Sequence, residues 1–277
     1  MQIPPKLKET LEKLGLNEEI YAQRTRKCII AKDYENIKNP EKVPWFSQAC
    51  FIPEDYEIKD SFVFDPVSIV PCIALEPRKE DRILDMCAAP GTKTFILSYM
   101  TDNDSRIAAN DIDKNRVKRL KSIVNRNHLS VEVTNMSGRK LAGSFDKILL
   151  DAPCSGEGMV NKKEKLFRNW SEKRVKILSK KQKKLIAHAF SLLHPGGLLV
   201  YSTCTFEPDE NEAVVDFLLS GHDNAVLEYI EANIVHENGL TEWIGTKFHP
   251  DMAKCMRIYP SQNRTTGFFV ARIRKKD

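Results

Sequence analysis

The chain has 277 residues, 42% of them apolar and 29% charged, so it can bury one substantial core and is not expected to be disordered as a whole. It has no apolar run near the roughly 18 residues that span a bilayer, and its start, MQIPPKLKET, lacks the pattern of a secretory signal. Seven scattered cysteines with no CxxC pair argue against a disulfide framework or a structural zinc site. We therefore expect a cytosolic protein with reduced thiols, no membrane association and no metal centre.

The net charge of +5 is unevenly distributed along the chain. Residues 161–184, NKKEKLFRNWSEKRVKILSKKQKK, carry eleven Lys or Arg and two Glu, a net +9, which leaves −4 for the rest. Such a block is typical of a surface that binds a polyanion, most often nucleic acid, or of a solvated helix face. The aromatic side chains inside it, Phe167 and Trp170, are available either to stack on bases or to pack inward. The cations assigned to RNA binding are Lys162, Lys163, Lys165, Arg168 and Arg174.

The chain divides into an N-terminal extension, residues 1–60, and a larger domain, residues 61–277. A short amphipathic pattern and several prolines predict helical and irregular structure in the extension. In the larger domain, short apolar runs alternate with helix-length segments, which predicts a doubly wound α/β fold with a mostly parallel, seven-stranded sheet whose last strand is added late, at an edge. The predicted strands are 82–86, 106–110, 131–135, 146–151, 197–203, 225–230 and 268–273, and the predicted helices are 92–100, 114–127, 171–193 and 209–219.

The first predicted strand leads into the loop DMCAAPGTKT, residues 85–94. In doubly wound sheets ligands lie beyond the carboxyl ends of the strands, and the small residues of this loop allow a ligand to approach the backbone. Pro90 and Gly91 predict a turn, and Thr92 is predicted to cap the following helix. The helix dipole disfavours Lys93 in the first turn, which suggests that it grips a carboxylate. The fingerprint G-x-G-x-x-G is absent, so the loop fits a smaller adenosine cofactor better than a dinucleotide.

The second predicted strand is followed by NDIDKNR, residues 110–116. An acid at this turn holds ribose hydroxyls in α/β nucleoside sites, which indicates Asp111. Asp113 is expected to cap the next helix.

Two cysteines follow neighbouring strands of the predicted sheet. The fourth strand ends in DAPCSGEG, with Asp151 and Cys154, and the fifth ends in STCT, with Cys204. Because the ends of neighbouring strands lie about 5 Å apart, these side chains are predicted to share a pocket beside the cofactor loop. One such cysteine alone would more often be core filler, but two with an acid indicate a reactive site.

Methylation of carbon 5 of cytosine is a chemistry that uses this set together. A thiolate that adds to carbon 6 turns the ring into an enamine, and a carboxyl group at ring nitrogen 3 supports that addition. The enamine takes a methyl group from S-adenosylmethionine, and loss of the carbon 5 proton and of the thiol completes the cycle. A base in paired structure must first be exposed.

The motifs resemble those of the Sun family of RNA cytosine-5 methyltransferases. From about residue 62 to the end, the chain has DMCAAPGTKT, NDIDKNR, LLDAPCSGEGM, the NW of FRNW, LLHPGGLLVYSTCT with PDENEAVV, and RIYP followed by GFFVARI, in the family's order. The resemblance implies the methyltransferase α/β fold with an antiparallel last strand, S-adenosylmethionine as donor and RNA as substrate.

The resemblance also implies roles for individual residues. Cys204 is implied to be the nucleophile, Cys154 the thiol that releases the product, and Asp151 the acid that contacts cofactor and cytosine. The implied cofactor site comprises Cys87, Ala88, Ala89, Pro90, Gly91, Thr92, Lys93, Asp111, Arg116 and Asp151.

Three positions depart from the family pattern. Ser137 stands where many relatives have Asp, Phe64 where Gln is common, and Ser261 where His is common. These departures bear on cofactor affinity and substrate subclass rather than on the reaction.

Other functions fit the sequence less well. A DNA cytosine-5 methyltransferase would use the cysteine of the fourth-strand motif and need no second one, and a non-catalytic RNA-binding relative would be expected to lack Asp151, Cys154 or Cys204. A small-molecule methyltransferase would not need the basic block. Among RNA substrates, the compact chain favours transfer RNA over ribosomal RNA, and we expect a monomer.

The acids of FEPDENE, which follow Cys204, have a structural interpretation. Glu207, Asp209 and Glu210 are predicted to complement the dipole of a helix with Pro208 in its first turn, and they are given no catalytic role.

Overall fold

The computed structural model describes residues 3–22, 24–30, 37, 40–53, 62–159 and 165–277, and describes Lys165 at its backbone only. Lys162 and Lys163, two of the predicted RNA-binding residues, lie outside the described residues. The helices are α1 (Pro5–Lys13), α2 (Val70–Leu75), α3 (Thr92–Met100), α4 (Lys114–Arg126), α5 (Lys165–Arg168), α6 (Glu172–Ser191), α7 (Glu212–Gly221) and α8 (Pro260–Asn263). The strands are β1 (Cys28–Ile30), β2 (Lys42–Val43), β3 (Phe46–Phe51), β4 (Arg82–Asp85), β5 (Arg106–Asn110), β6 (Val131–Thr134), β7 (Phe145–Asp151), β8 (Leu193–Thr203), β9 (Ala225–Glu228), β10 (Glu237–Asn238), β11 (Glu242–Trp243), β12 (Thr246–Lys247), β13 (Met256–Ile258) and β14 (Phe268–Lys275).

One central sheet contains all seven predicted strands. Its order is β10-β13-β14-β8-β7-β4-β5-β6, and β9 also pairs with β14. Neighbours from β8 to β6 are parallel, whereas β14 is antiparallel to β8. The doubly wound α/β fold is confirmed.

The sheet differs from the prediction at its antiparallel side. The short strands β10 and β13 extend it to nine strands in the described part of the chain. β14 is not at the edge, because it lies between β8 on one side and β9 and β13 on the other. Its first six residues are all buried, as expected of a strand that is covered on both faces.

Alternate residues of the central strands point to opposite faces of the sheet and form two cores. Ile83, Leu149 and Val200 pack with α2 and α3 on one face. On the other face Leu84, Leu150, Leu199 and Tyr201 pack with α6 and α7. Helices therefore cover both faces and leave the carboxyl ends of the parallel strands for a site.

The N-terminal extension packs on the larger domain in two places. Leu7 and Leu11 of α1 are buried in a cluster with Phe167, Phe206 and Tyr259. Strands β1, β3 and β2 form a small antiparallel sheet where irregular structure was predicted, and its apolar residues join the core on the side of α2 and α3. The division of the chain at residue 60 stays a prediction. None of the helices in the described ranges is long and apolar enough to cross a membrane.

Candidate active site

The parallel strands bring the predicted site residues to one end of the sheet. Asp85 ends β4, Asp111 follows β5, Asp151 ends β7 and Cys204 follows β8. In the β7–β8 register, Asp151 lies opposite Ser202. The cofactor loop and both cysteine loops therefore meet at the position where α/β sheets bind ligands.

The two cysteines of the site are in direct contact. The Sγ atoms of Cys154 and Cys204 are 3.3 Å apart, and the backbone N–H of Cys204 donates to Cys154 Sγ over 3.4 Å. The hydrogen bond to Cys204, burial and nearby acids raise the pKa of Cys154 well above its ordinary value. At neutral pH Cys154 therefore carries a proton that it can share with the Cys204 sulfur.

Backbone contacts fasten the two cysteine loops together. The N–H of Gly158 donates to the Cys204 carbonyl at 3.0 Å, and the N–H of Gly267 donates to the Gly158 carbonyl at 2.8 Å. A Cβ atom at Gly158 would lie 2.5 Å from the Gly267 oxygen. Glycine is required at this position because three chain segments meet there.

Asp151 is bound by two side chains. Lys93 Nζ donates to Asp151 Oδ2 at 2.7 Å, and Ser202 Oγ donates to Oδ1 at 3.0 Å. Burial alone would lower the pKa of Lys93, but the charge and the hydrogen bond of Asp151 raise it, so the lysine stays charged. Lys93 thus grips a carboxylate, as its place in the first helical turn suggested.

The loop of residues 87–93 closes the amino end of α3. Gly91, with φ 117°, is the N-cap, and the structure records no side-chain cap. The predicted cap role of Thr92 is wrong, because Thr92 is already the first helical residue and a left-handed glycine precedes it. Ala88 and Ala89 are buried, and the N–H of Ala88 donates to the Asn110 carbonyl at 2.7 Å. The loop is therefore held against β5.

Asp111 is enclosed by its neighbours. Its carboxylate accepts hydrogen bonds from the N–H groups of Ala89 at 3.2 Å and Asp113 at 2.9 Å, and Arg116 Nη1 lies 3.4 Å away. Arg116 also donates to the Ala89 carbonyl. Because the Asp111 side chain is only 2% exposed, it can reach a ribose only if a neighbouring group moves. Asp113 accepts from two N–H groups at the start of α4, so its predicted cap role is confirmed.

The loops after β4, β5 and β6 offer groups that fit S-adenosylmethionine. Asp85 is fully buried and accepts from Thr94 Oγ1 at 2.6 Å, while its other oxygen has no partner in the described part of the chain. Burial raises the pKa of Asp85 to about 7. A bound ammonium group would satisfy that oxygen and hold the carboxyl ionised. Ile112 and Met136 are 72% and 41% exposed, which leaves apolar surface that an adenine ring can cover.

The acids after Cys204 are not arranged as predicted. Helix α7 begins at Glu212, after a turn, and Glu207 and Glu210 are buried whereas Asp209 is exposed. Burial raises the pKa of Glu207 to about 9 and that of Glu210 to about 8. The dipole interpretation is therefore wrong for these two residues, since a protonated acid has no charge with which to complement a helix dipole.

Glu212 forms an ion pair that sequence reasoning missed. Its carboxylate accepts from Arg257 Nε at 2.6 Å and from Nη2 at 2.5 Å, and both side chains are buried. Arg257 Nη1 also donates to the Phe206 carbonyl at 3.1 Å. The RIYP motif thereby anchors the segment that follows Cys204.

The described part of the basic block forms an exposed surface on α5 and α6. Its aromatic residues pack inward: the rings of Phe167 and Tyr21 have centroids 5.6 Å apart, and Trp170 Nε1 donates to Glu157 at 2.6 Å. Phe167 is therefore not free to stack on a base, and Trp170 is held by its bond to Glu157. The exposed cations include Arg168, Lys173, Arg174, Lys176, Lys180, Lys181 and Lys184.

Within the described ranges, no group of three or more His, Cys, Asp or Glu side chains is placed to hold a metal ion.

Comparison with known proteins identifies the family. Residues 72–274 match the family described as 16S rRNA methyltransferase RsmB/F. The tRNA (cytosine(49)-C(5))-methyltransferase of Pyrococcus abyssi is 38% identical over 249 residues, covering 85% of this chain and 80% of that protein. The 25S rRNA (cytosine-C(5))-methyltransferase nop2 of Schizosaccharomyces pombe is 37% identical over 219 residues, covering 75% of this chain but only 36% of that protein.

The fold has a close counterpart among solved structures. A methyltransferase homolog protein from Pyrococcus horikoshii superposes with a TM-score of 0.81 at 28% identity, over 99% of this chain and 100% of that chain. The site geometry, the motifs and these likenesses agree. The chain belongs to the RsmB/F, or Sun, family of S-adenosylmethionine-dependent RNA cytosine-5 methyltransferases.

Proposed function

We propose that the protein methylates carbon 5 of a cytosine in transfer RNA through a covalent bond between Cys204 and carbon 6 of the base. The observation that carries this proposal is the contact of the Cys154 and Cys204 sulfurs, 3.3 Å apart, at the strand ends beside Asp151. A single cysteine would suffice for addition to the ring, whereas a second thiol in contact with it supports a separate step of release.

Each side chain of the site has one task in the proposed cycle. The Cys204 sulfur, as its thiolate, adds to carbon 6, and the carboxyl group of Asp151, held by Lys93 and Ser202, shares a proton with ring nitrogen 3, where negative charge develops. That proton returns to Asp151 when carbon 5 is methylated. Carbon 5 becomes nucleophilic and accepts the methyl group. A water molecule takes the carbon 5 proton, which restores the double bond as the bond to Cys204 breaks and the sulfur leaves as its thiolate. Cys154 keeps its proton within reach of the departing sulfur.

S-adenosylmethionine supplies an electrophilic methyl group when it is bound. We assign to its ammonium group the Asp85 oxygen that has no hydrogen-bond partner among the described residues, and we assign Asp111 to its ribose hydroxyls. Ile112 and Met136 provide apolar surface for adenine, and the loop of residues 87–93 allows close approach to the backbone. Ser137 stands beside Met136 and offers a hydroxyl where relatives often have a carboxylate.

Transfer RNA is favoured as the substrate because this chain matches more of the length of a tRNA enzyme than of an rRNA enzyme. The Pyrococcus abyssi tRNA enzyme is matched over 80% of its length, whereas the nop2 rRNA enzyme is matched over 36% of its length. We propose that the N-terminal extension and the basic surface dock the RNA, because phosphate contacts position nucleic acid without reading its sequence. The monomeric state and the cytoplasmic location stay predictions.

Bisulfite mapping should place 5-methylcytosine at one position of transfer RNA. Total RNA from cells with and without the protein is compared, because bisulfite converts cytosine and spares 5-methylcytosine. A protein-dependent signal confined to ribosomal RNA would exclude the transfer RNA assignment and leave the reaction standing. The matched in vitro assay follows transfer of a labelled methyl group to the two RNA classes.

Replacing Lys173, Lys176 and Lys180 of α6 with glutamine should weaken binding of RNA. Each lysine that contacts a phosphate releases counterions, so the triple variant is expected to lose affinity and to show a smaller salt dependence, with the log–log slope reduced by up to about 2. Filter binding at several salt concentrations measures both. The matched control replaces Lys114, Lys118 and Lys121, which are exposed on α4, and removes the same charge. Equal losses in the two variants would show that α6 is not the docking surface.

A further inference from the structure

Cys154 is held through the residues on either side of it, and both contacts lead to Glu210. The N–H of Ser155 donates to Glu210 Oε2 at 3.1 Å. Gln182 Nε2 donates to the Pro153 carbonyl at 2.9 Å and to Glu210 Oε2 at 2.7 Å. Glu210 is fully buried. One carboxyl group thus fixes the backbone before and after the Cys154 thiol.

A second buried acid, Glu157, lies across Ser155 from Glu210. Ser155 Oγ is 2.9 Å from both carboxyl oxygens of Glu157 and is also in hydrogen-bond contact with Glu210 Oε1. Thr205 Oγ1 lies 3.0 Å from the same hydroxyl, and Trp170 Nε1 donates to Glu157. The Ser155 hydroxyl therefore joins two carboxyl groups.

The number of protons at this point is constrained. A serine hydroxyl has one proton and can donate to only one of the two carboxyl groups. If both acids were ionised, Ser155 could donate its proton to only one of them. The lone pairs of its oxygen would then face the lone pairs of the other carboxylate in a buried site, which is unfavourable. In the described part of the chain, no Lys, Arg or His side chain forms an ion pair with either acid. The contacts are satisfied when one carboxyl is protonated and donates to Ser155.

We propose that Glu157 and Glu210 share one proton across Ser155, and that Glu210 is thereby a positioning residue that holds Cys154 against Cys204. The proposal rests on the proposed function only in taking these two thiols as the reacting pair. Neither acid touches the sulfurs, so the effect on the reaction is transmitted through the backbone of residues 153–155.

Among the described side chains, none around the pair carries a positive charge in an ion pair with either acid, so nothing there compensates for loss of the proton. Burial raises the pKa of Glu157, and it raises that of Glu210 to about 8. Removing the shared proton leaves two adjacent carboxylates that repel each other, and the loops that carry the cysteines should separate. Among the described residues, the titratable groups whose charge acts on one or both acids are Cys154, Tyr21, Tyr201 and Glu207, and each of them becomes negative on ionisation.

The shared proton makes folding stability depend on pH with a defined sign. The ordinary pKa of 4.5 for Glu210 applies to the unfolded chain, and in the folded protein the pKa is raised to about 8. Between those values the folded state binds more protons than the unfolded state, so the free energy of unfolding falls as the pH rises. Above the folded value this contribution is lost and the dependence levels off.

Glu210→Gln and Glu210→Ala test the proposal, with Asp209→Asn as the matched control because Asp209 is exposed. At neutral pH Glu210→Ala should lose about a hundred-fold in turnover, the cost of a displacement of about 1 Å at a reacting group. Glu210→Gln, a neutral isostere, should stay within a few-fold of the wild type.

Wild-type turnover should fall as the pH rises through about 8, whereas Glu210→Gln should keep its activity. Between pH 5 and 8 the melting temperature of Glu210→Gln should fall less than that of the wild type. The control should match the wild type throughout.

A measurement without RNA or cofactor separates this proposal from the proposed function. Infrared difference spectra between pH 7 and pH 10 should show the carbonyl band of a protonated carboxyl group, weakened in the Glu157→Gln/Glu210→Gln double variant. An unchanged band in that variant would contradict the proposal that the two acids share a proton. So would a Glu210→Gln protein that keeps the wild-type pH profile of turnover and whose melting temperature is lowered equally at every pH. Full activity of Glu210→Ala would overturn the positioning role. Because Glu207 also titrates in this range, the pair is reported by the part of the band that the double variant loses. Absence of methyl transfer by the wild type, with that part of the band present, would instead remove the proposed function.

Discussion

A Cys204→Ala protein should transfer no methyl group to RNA, a loss of about a million-fold or down to background. Without addition of a thiolate to carbon 6, carbon 5 of cytosine is too weak a nucleophile to be methylated. The substitution should leave the fold intact, because Cys204 is partly exposed and its side chain is small. Incorporation of labelled methyl groups into RNA measures the loss. The control is Cys50→Ala, a buried thiol in the N-terminal sheet, which should keep its activity.

The second cysteine should give the opposite phenotype. Cys154→Ala keeps the nucleophile and removes the thiol that lies 3.3 Å from it, so addition and methylation should proceed while release stalls. A protein–RNA adduct should therefore survive denaturing electrophoresis. Trapping by Cys204→Ala, with none by Cys154→Ala, would reverse the two assignments.

Arg257→Met should destabilise the protein by about 3–5 kcal/mol, the usual cost of leaving one member of a buried ion pair without its partner. The Glu212 carboxylate would be left unpaired, and the Phe206 carbonyl would lose its donor. At about 2–4 °C per kcal/mol for a protein of this size, the melting temperature should fall by about 10 °C. Scanning calorimetry measures the change.

Two further variants make this prediction specific to the buried pair. Arg257→Met/Glu212→Met, which removes both charges, should recover much of the lost stability. Lys79→Met breaks an ion pair whose side chains are 58% and 75% exposed, and it should leave the melting temperature nearly unchanged. If the double variant were no more stable than Arg257→Met, the unpaired charge would not be the cause.

Much of the fold can be predicted from the sequence because its signals are local. Helix α3 has the predicted bounds, and α4 ends one residue before its predicted end. In the sequence, strands β4 to β8 are short apolar segments separated by longer segments, most of them of helix length. That alternation predicts that neighbouring strands of the sheet are parallel. The proximity of Cys154 and Cys204 follows in turn, because each lies just past the carboxyl end of a neighbouring strand.

The errors occur where distant segments meet. The sequence predicts β14 as a strand added late at an edge of the sheet. Its position inside the sheet instead depends on pairing with β9 and β13. The acids of FEPDENE were predicted to complement a helix dipole because acids are common in the first turn of a helix. The available signal was the apolar Phe206 directly before them, which is buried and carries the start of this segment inward.

The sequence by itself determined the order of strands and helices, the place of each motif at a strand end, and the reaction that two thiols and a carboxylate suit. These depend on periodicity, turn residues and residue chemistry, which neighbouring positions set. Only the tertiary structure decided which acids are buried, which keep a proton and which are paired. Glu212 and Arg257 are 45 residues apart, and Ser155 and Glu210 are 55 apart. Burial and pairing of these side chains depend on contacts between such distant segments, which no local pattern in the chain specifies.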